Sequence, residues 1–373
     1  MSQIQGTARP RLAILTNIVA PYRVPIYKAL AEQFHVRIFV AGNEHNRAIW
    51  ETQPLPSCLN IKRSWGFTIG VRHRIDGSAW DPRYIHVTPG YFLDLLRYRP
   101  AAIITTEMGF RTILALFYRA LTKTPVWVWW GGTLHTERAR VTVKRWVRRF
   151  LAHSVPRWIS YGRTSTAYLC SLGVPRDRIL QIQNCVDEAL FSAEVPPLLN
   201  LHPKPVVLYV GQMIARKGVK RLLEAAASVQ REGFQFSLLL VGDGSESEYL
   251  KRYADELGLT YVHFLPSQPY DVLPSVYRSA DCLVFPTLED VWGLVVNEAL
   301  WSGIPVACSI YAGCAEELVP QRNCFDPLNH EDFVRILRMA VNRELVPPDT
   351  SRLLPSAVVA QMIQNDILRV LAQ

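Results

Sequence analysis

Short runs of Val, Leu and Ile, apolar at every position, recur along the chain, and between them apolar residues return every three or four positions. Beyond residue 205 the alternation is regular. Residues 206–210 form an unbroken apolar run ending in Gly211, and residues 219–229 carry apolar side chains at helical spacing. Residues 236–241 are a second buried run, closed by Gly242-Asp243-Gly244, and 246–257 read as an amphipathic helix. Strands follow at 261–265 and 282–285 with a helix near 271–277 between them, then a helix at 294–301 and a short strand at 305–308. Runs without polar alternation suit strands covered on both faces, which is the condition of a parallel sheet between helices.

The first half repeats the pattern. Strands are expected at 12–16, 36–40, 102–106, 126–129, 158–161 and 179–182, with helices near 24–33, 110–121, 141–153 and 165–172. Residues 43–100 are the least periodic part, and the pattern gives no element order there. Pro196-Pro197, Pro203 and Pro205 punctuate the chain between the two regular stretches, as a linker does. The expected organisation is a first domain over residues 1–195, a second over 205–350, and a final helix within 351–373. Val358, Met362, Ile363, Ile367 and Val370 give that helix an apolar face, which should pack back on the first domain. The fold class is therefore α/β, with two Rossmann-like doubly wound domains facing a cleft. Ligands of such sheets bind outside the strand C-termini.

Composition narrows the class. With 373 residues, 49% hydrophobic and 20% charged, the chain is neither disordered nor low in complexity. No apolar run reaches the 18–20 residues of a spanning helix. Arg9 and Arg11 before an apolar stretch imitate a signal peptide, but that stretch contains Thr16 and Asn17 and runs into Pro21-Tyr22-Arg23. It reads as the first core strand of a cytoplasmic protein. Seven cysteines, an odd number at spacings that fit no zinc site and several in apolar strand-like runs, read as reduced core thiols. The net charge of +9 is divided unequally: residues 1–195 hold 26 Lys and Arg against 12 Asp and Glu, and residues 196–373 hold 15 against 20. A positive field of that size in one half recruits anionic partners.

Three segments carry candidate chemistry. Gly211-Gln212-Met213-Ile214-Ala215-Arg216-Lys217-Gly218 leaves a buried strand and opens a helix. Glycines, a helix N-terminus and two cations fit a diphosphate cradle, and they fit equally a tight turn with a solvated basic pair. Gly242-Asp243-Gly244 repeats the strand-to-turn geometry one unit later; a lone G-x-G reads first as a tight strand-to-helix turn, here shaping the floor of the cleft. In residues 285–299, Asp290 lies at the mouth of a helix and Glu298 inside it. Carboxylates accept the paired hydroxyls of a ribose or hexose; the other reading is a helix cap and a core Glu with a basic partner.

These segments resemble the nucleotide-binding domain of the retaining glycosyltransferases of family four, which have the two-Rossmann GT-B fold. V-G-Q-x-x-x-R-K-G from Val210, V-G-D-G from Val241 and E-D-V-W-G-L-V-V-N-E-A from Glu289, followed by G-I-P-V-A from Gly303, match in order and spacing. The last carries that family's E-x7-E signature with Asp290 in the first place. The first half matches more loosely, through N-x-x-A-P-Y-R from Asn17 and Asn184-Cys185-Val186-Asp187. The resemblance implies that Arg216 and Lys217 hold the donor diphosphate, Glu298 the ribose, and Asp290 the transferred sugar. Gly211, Gln212, Gly242, Asp243, Gly244, Glu289, Gly293 and Leu294 complete the implied donor-binding set, with Leu265-Pro266-Ser267 bordering the base. Residues 20–23 stand where the family has a glycine-rich loop, and Gln212 where many members have Arg. No D-x-D sequence occurs in the chain; the resemblance implies transfer without a required metal or other cofactor.

The first domain is expected to bind the acceptor. Residues 127–137 run off a strand into a glycine-containing loop from which His135 and Glu137 can reach the cleft, with Glu107 on the same side; the pattern reads also as a loop His, a helix-start Glu and a structural Glu107. The resemblance places a His near the transferred sugar at about the position of His135. Arg138, Arg140, Lys144, Arg145, Arg148 and Arg149 interleave with Val143, Trp146, Val147, Phe150 and Leu151, and no acid lies between Glu137 and Asp177. That pattern reads as an acceptor or membrane face, and also as a core-packed helix with a solvated basic side. The expected activity is transfer of a sugar from a UDP- or GDP-linked donor to a glycan or lipid-linked acceptor at the cytoplasmic face of an anionic membrane, in cell-surface polysaccharide or lipopolysaccharide synthesis. A nucleotide-sugar epimerase and a basic nucleic-acid-binding protein are the alternatives. No helix-turn-helix, zinc-finger or aromatic RNA-binding pattern supports the second, and no nucleic-acid partner is expected.

Overall fold

The computed structural model describes residues 9–42, 56–71, 74–75, 78–79, 83–138 and 142–373, with backbone alone at 71, 74–75, 78–79, 83 and 142–145. In the first half the strands are β1 (Arg11–Thr16), β2 (His35–Val40), β3 (Asn60–Arg63), four short strands β4 (Phe67–Val71), β5 (Arg74–Ile75), β6 (Ser78–Ala79) and β7 (Arg83–Val87), then β8 (Ala102–Thr105), β9 (Val126–Trp130), β10 (Arg157–Tyr161) and β11 (Ile179–Ile182). The second half holds β12 (Val206–Val210), β13 (Ser237–Val241), β14 (Val262–Leu265), β15 (Cys282–Phe285), β16 (Val306–Ser309) and β17 (Cys324–Phe325). One parallel sheet has the order β11-β10-β9-β8-β1-β2-β3 and the other β14-β13-β12-β15-β16-β17. Both reverse direction beside their first strand, so each has a crevice there, between β1 and β8 and between β12 and β15.

Successive strand residues face opposite sides of the sheet. In the first sheet Leu12, Ile14, Ile104, Trp127 and Trp129 meet helix Val24–Gln33 and the C-terminal helix Ser356–Leu371. Ala13, Leu15, Ile103 and Val126 meet helices Gly90–Tyr98 and Phe110–Thr122, while Val128, Trp130 and Trp158 meet Thr142–Ser154 and Gly162–Ser171. Both faces are covered, as the unbroken apolar runs require.

Two stretches differ from the sequence reading. Helix Gly90–Tyr98 and strands β3 to β7 fall within 43–100, where no order was assigned. Helix His330–Val341 was not expected, although Phe333, Val334, Ile336, Leu337, Ala340 and Val341 are buried along one side and Asn329 caps it by accepting from the Asp332 N–H. All seven cysteines are free thiols; Cys185, Cys282, Cys308 and Cys314 are buried as core residues, Cys324 is half-buried, and Cys58 and Cys170 are exposed, contrary to the expectation of core thiols. No helix among the described residues is long and apolar enough to cross a membrane.

The C-terminal helix crosses back to the first sheet. Gln364 donates to the Ala29 carbonyl at 2.7 Å, and buried Asp366 accepts from the Trp127 indole at 2.8 Å with Arg157 3.7 Å away. Asp366→Ala leaves that indole and Arg157 without their carboxylate and is expected to destabilise the protein by about 2–3 kcal/mol in urea unfolding. An unchanged midpoint would mean that the helix docks by apolar contact alone.

Candidate active site

The site is built where the ends of β12 and β15 approach. After β12 the chain makes a single tight turn, Ala215–Lys217, and enters helix Val219–Arg231 through Gly218, whose φ is +70°. A Cβ on Gly218 would lie 2.1 Å from the Pro286 carbonyl oxygen, so only glycine lets this turn close on the end of β15. The two loops then interlock. The Leu288 N–H donates to the Arg216 carbonyl at 2.8 Å, and the Arg216 guanidinium donates to the Glu289 carbonyl at 3.1 Å.

The Lys217 ammonium pairs with Asp290 at 2.5 Å, and the other Asp290 oxygen accepts from the Trp292 N–H at 3.1 Å. Burial alone would raise the Asp290 carboxyl; Lys217, Arg216 and the Trp292 N–H outweigh it and hold the group below its ordinary value. Asp290 is thus a permanent anion that orients Lys217. Gly293, with φ +102°, packs its α-carbon against the Phe285 ring and opens helix Leu294–Trp301. Leu294 is the first residue of that helix, half-buried against the core.

Gly211, Gly242 and Gly244 bring two loops together backbone on backbone: the Gly211 N–H donates to the Val241 carbonyl and the Met213 N–H to the Asp243 carbonyl. The Gln212 carbonyl accepts from the Tyr209 hydroxyl, and the Asp243 carboxylate accepts from the Ser267 N–H at 2.8 Å. The turn after β14, expected to border a base, is therefore tied to the glycine turn after β13.

Glu298 lies deeper. Its side chain is in a residue only 6% exposed and accepts from the buried Tyr277 hydroxyl at 2.6 Å. Burial pushes its carboxyl up to about 7, with the Tyr277 hydrogen bond acting the other way. Neither Arg216 nor Lys217 is among the groups that set this value, so the two carboxylates at the ends of the motif occupy different environments: Asp290 charge-paired, Glu298 desolvated.

The first domain reaches this site through the loop after β9. His135 Nε2 donates to the Leu288 carbonyl at 2.9 Å, and its ring stacks on Tyr311 at 4.6 Å between centroids. Arg138 donates to the His135 carbonyl and lies 4.0 Å from the Glu289 carboxylate. Arg216, Lys217, Glu289, Asp290, His135 and Arg138 are thus brought together.

Part of the expected basic face is corrected. Arg148 is 6% exposed: its guanidinium is bonded to Glu137 and to the Tyr168 hydroxyl, over the Trp130 ring at 4.8 Å. It is a core residue, because an ion pair inside an aromatic box satisfies its charge there. Trp146 and Phe150, at 73% and 65% exposed, point outward beside exposed Arg149. Arg140 and the side chains of Lys144 and Arg145 lie outside the described residues. Glu107 pairs with Arg111 at 3.0 Å.

The sequence reading assigned no role to Arg23. Its guanidinium bonds the Tyr161 hydroxyl and lies 4.6 Å from the Trp129 ring centroid, at the cleft end of β1. The signal was a lone Arg ending Pro21-Tyr22-Arg23 directly after a core strand. Asn184 has a structural use: its carbonyl accepts from Asn297, whose own oxygen accepts from the Trp292 indole at 2.8 Å, joining the linker side of the cleft to the helix that carries Glu298.

Residues 194–352 match the family described as glycosyl transferases group 1. A 2-deoxystreptamine glucosyltransferase from Streptomyces kanamyceticus is 24% identical over 284 residues, 69% of this chain and 63% of that protein. The chain thus spans less than two thirds of that relative. The solved structure of the lipopolysaccharide outer core galactosyltransferase WaaB superposes with a TM-score of 0.69 at 16% identity, covering 96% of this chain and 99% of that one. Anabaena HepE in complex with UDP and glucose gives 0.66 at 16% identity, covering 98% of each chain. The fold is the GT-B arrangement of these structures.

Glu298 also makes stability depend on pH. The folded state holds its proton to about pH 7 and the unfolded chain only to about 4.5. Its contribution is therefore full below pH 4.5 and lost as pH rises through 7. Glu298→Gln keeps an acceptor for Tyr277 and cannot ionise. Its stability advantage over the wild type should widen from pH 5 to pH 8, reaching up to about 3 kcal/mol. A gap that stays constant with pH would show that the carboxyl does not titrate in this range.

Proposed function

We propose that the protein is a retaining glycosyltransferase that moves a sugar from a UDP- or GDP-linked donor to a hydroxyl of a glycan or lipid-linked acceptor. The observation that carries this is the interlocked loop pair, which sets Arg216 and Lys217 beside Asp290 at the cleft end of a doubly wound sheet. The match over residues 194–352 and the names of the relatives support the same reading. The donor would lie against residues 205–350 and the acceptor against 1–195.

In this reading the bond between the anomeric carbon and the phosphate oxygen breaks, and its electron pair leaves with the diphosphate. Arg216 and Lys217 neutralise that developing charge, and Asp290 keeps Lys217 aimed at it. The acceptor hydroxyl attacks the anomeric carbon from the face the diphosphate is leaving, and its proton passes to a phosphate oxygen. Glu298 takes the ribose hydroxyls, exchanging its Tyr277 partner for them or sharing it. His135 ties the first domain to the donor loop through Leu288, beside the position of the transferred sugar. The two cations supply the charge that a D-x-D-bound metal supplies elsewhere, so no metal is required. The reading places the enzyme at the cytoplasmic face of the membrane, in cell-surface polysaccharide or lipopolysaccharide synthesis. Exposed Trp146, Val147, Phe150 and Arg149 of helix Thr142–Ser154 suit an interfacial position.

A panel of nucleotides and nucleotide sugars is expected to raise the melting temperature for one base only, since a ligand of the folded state stabilises it. With that donor, Lys217→Ala and Glu298→Ala should each lose about 30- to 1,000-fold in turnover while remaining folded, the effect of removing one charge-assisted contact in a dry cleft. Normal turnover by either variant would overturn the donor-site assignment.

The product of an α-linked donor should itself be α-linked, read from the anomeric proton coupling, and activity should survive EDTA. A β-linked product would overturn retention, and loss in EDTA restored by Mg²⁺ would overturn the metal-free mechanism.

A further inference from the structure

Away from the cleft, at the N-terminal ends of β1, β2 and β3, lies a cavity of about 660 Å³ lined by Arg9, Arg11, Arg37, Lys62 and Arg97 together with Tyr98. Among the described residues Asp94 is the one carboxylate in its wall, and it is already bonded to Lys62 and Ser64. Helix ends explain part of this charge. Arg9 donates to the Ala31 carbonyl in the last turn of helix Val24–Gln33, and Arg11 to the Tyr98 carbonyl at the end of helix Gly90–Tyr98. Each uses one of five guanidinium donors there. Arg37 lies over the Tyr98 ring at 4.9 Å, and its buried Nε has no hydrogen-bond partner. A concave site that sets five cations against one satisfied carboxylate, among the described residues, suits an anionic phosphate-bearing group.

The same helix joins this cavity to an apolar surface. Leu93, Leu96 and Arg97 share one exposed side of helix Gly90–Tyr98, at i, i+3 and i+4. Phe92 touches Phe117 at 5.3 Å between rings, setting helix Phe110–Thr122 alongside, and that helix exposes Ile113, Phe117 and Leu121 as one stripe. The stripe starts near the cleft end of β8 and runs towards the cavity, since the helix runs antiparallel to its strand.

We propose that this face docks on an anionic bilayer, with the phosphate of a lipid headgroup held in the cavity by Arg11, Arg37 and Arg97 and the stripe Leu93, Leu96, Ile113, Phe117 and Leu121 in the acyl boundary. Large apolar side chains beside a cationic basin roomy enough for a whole headgroup are the complement of a lipid and not of a soluble phosphate. The inference deepens the membrane-associated reading above and rests on it. It brings in a surface distinct from helix Thr142–Ser154.

The experiment is sedimentation with vesicles of phosphatidylglycerol and phosphatidylcholine at about 0.1 M salt, without donor, using wild type, Arg37→Gln/Arg97→Gln and Phe117→Ser/Leu121→Ser. Both double variants should melt normally and keep their nucleotide-induced shift, so a failure of donor binding is read separately. The charge variant should lose about 30-fold in vesicle affinity, the equivalent of two cations at about 1 kcal/mol each near an anionic surface. The apolar variant should also detach. Inorganic pyrophosphate serves as the soluble arm and should compete only weakly. Binding of pyrophosphate without vesicle binding would overturn the lipid assignment. So would vesicle binding indifferent to both variants, or a dimer in light scattering that Phe117→Ser/Leu121→Ser dissolves.

Discussion

The cleft depends on one close approach, the α-carbon of Gly218 against the carbonyl of Pro286. Any side chain there would hold the turn after β12 away from the end of β15. With the approach made, the Arg216 carbonyl becomes the acceptor for the Leu288 N–H, and Lys217 reaches Asp290. Two cations are then fixed beside the Asp290 carboxylate. Asp290 is kept ionised by those cations, while Glu298, eight residues on, is raised by burial with a tyrosine as its bonded partner. One motif thus supplies a permanent anion and a desolvated carboxyl.

The two sheets are joined in two different ways. On the linker side the union is a continuous apolar cluster that runs from Trp127 and Trp129 through Phe191 and Tyr277 to Trp292, reinforced by Asn297 on Asn184 and by the returning C-terminal helix. At the mouth the contacts are single polar ones: His135 to Leu288, the Arg163 N–H to Glu317, Thr164 to the Gly313 carbonyl. Each of these exchanges readily for water, whereas separating the apolar cluster exposes large surface. The mouth is therefore the weaker of the two unions and the linker side the stronger.

Much of this was legible in the sequence because both faces of each sheet are buried. Unbroken runs such as 206–210 and 282–285 have no other stable use, and the glycines at 211, 218, 242 and 293 each fall where a strand must turn closely into a helix. The stretch 43–100 was not legible. Its short strands β4 to β7 pair locally and stand partly in solvent, with Phe67, Ile69 and Ile85 exposed, so burial imposes no periodicity on them. The helix at His330–Val341 carried its signal, an Asn cap and a one-sided apolar stripe, between Pro327 and Pro347-Pro348. Which loop residues would meet across the cleft was beyond the pattern, since the contact of His135 with Leu288 spans two domains and has no local periodicity.

The helix Thr142–Ser154 shows why an amphipathic pattern can be read the wrong way round. Cations and aromatics alternate along it at helical spacing, so two rotations both present a coherent face to the sheet. Apolar burial favours turning Trp146 and Phe150 inward. The structure turns Arg148 inward with Leu151 and Ala152, because Glu137, Tyr168 and the face of Trp130 already wait at that place. A guanidinium is weakly hydrated and planar, so it stacks on a ring and bonds in its plane at the same time. Glu137 comes from the loop that holds His135, so the inverted rotation fastens the cleft loop to the helical layer from behind. The aromatic side chains left outside follow from that fastening, and they belong to the same outer layer as the exposed stripe of helix Phe110–Thr122.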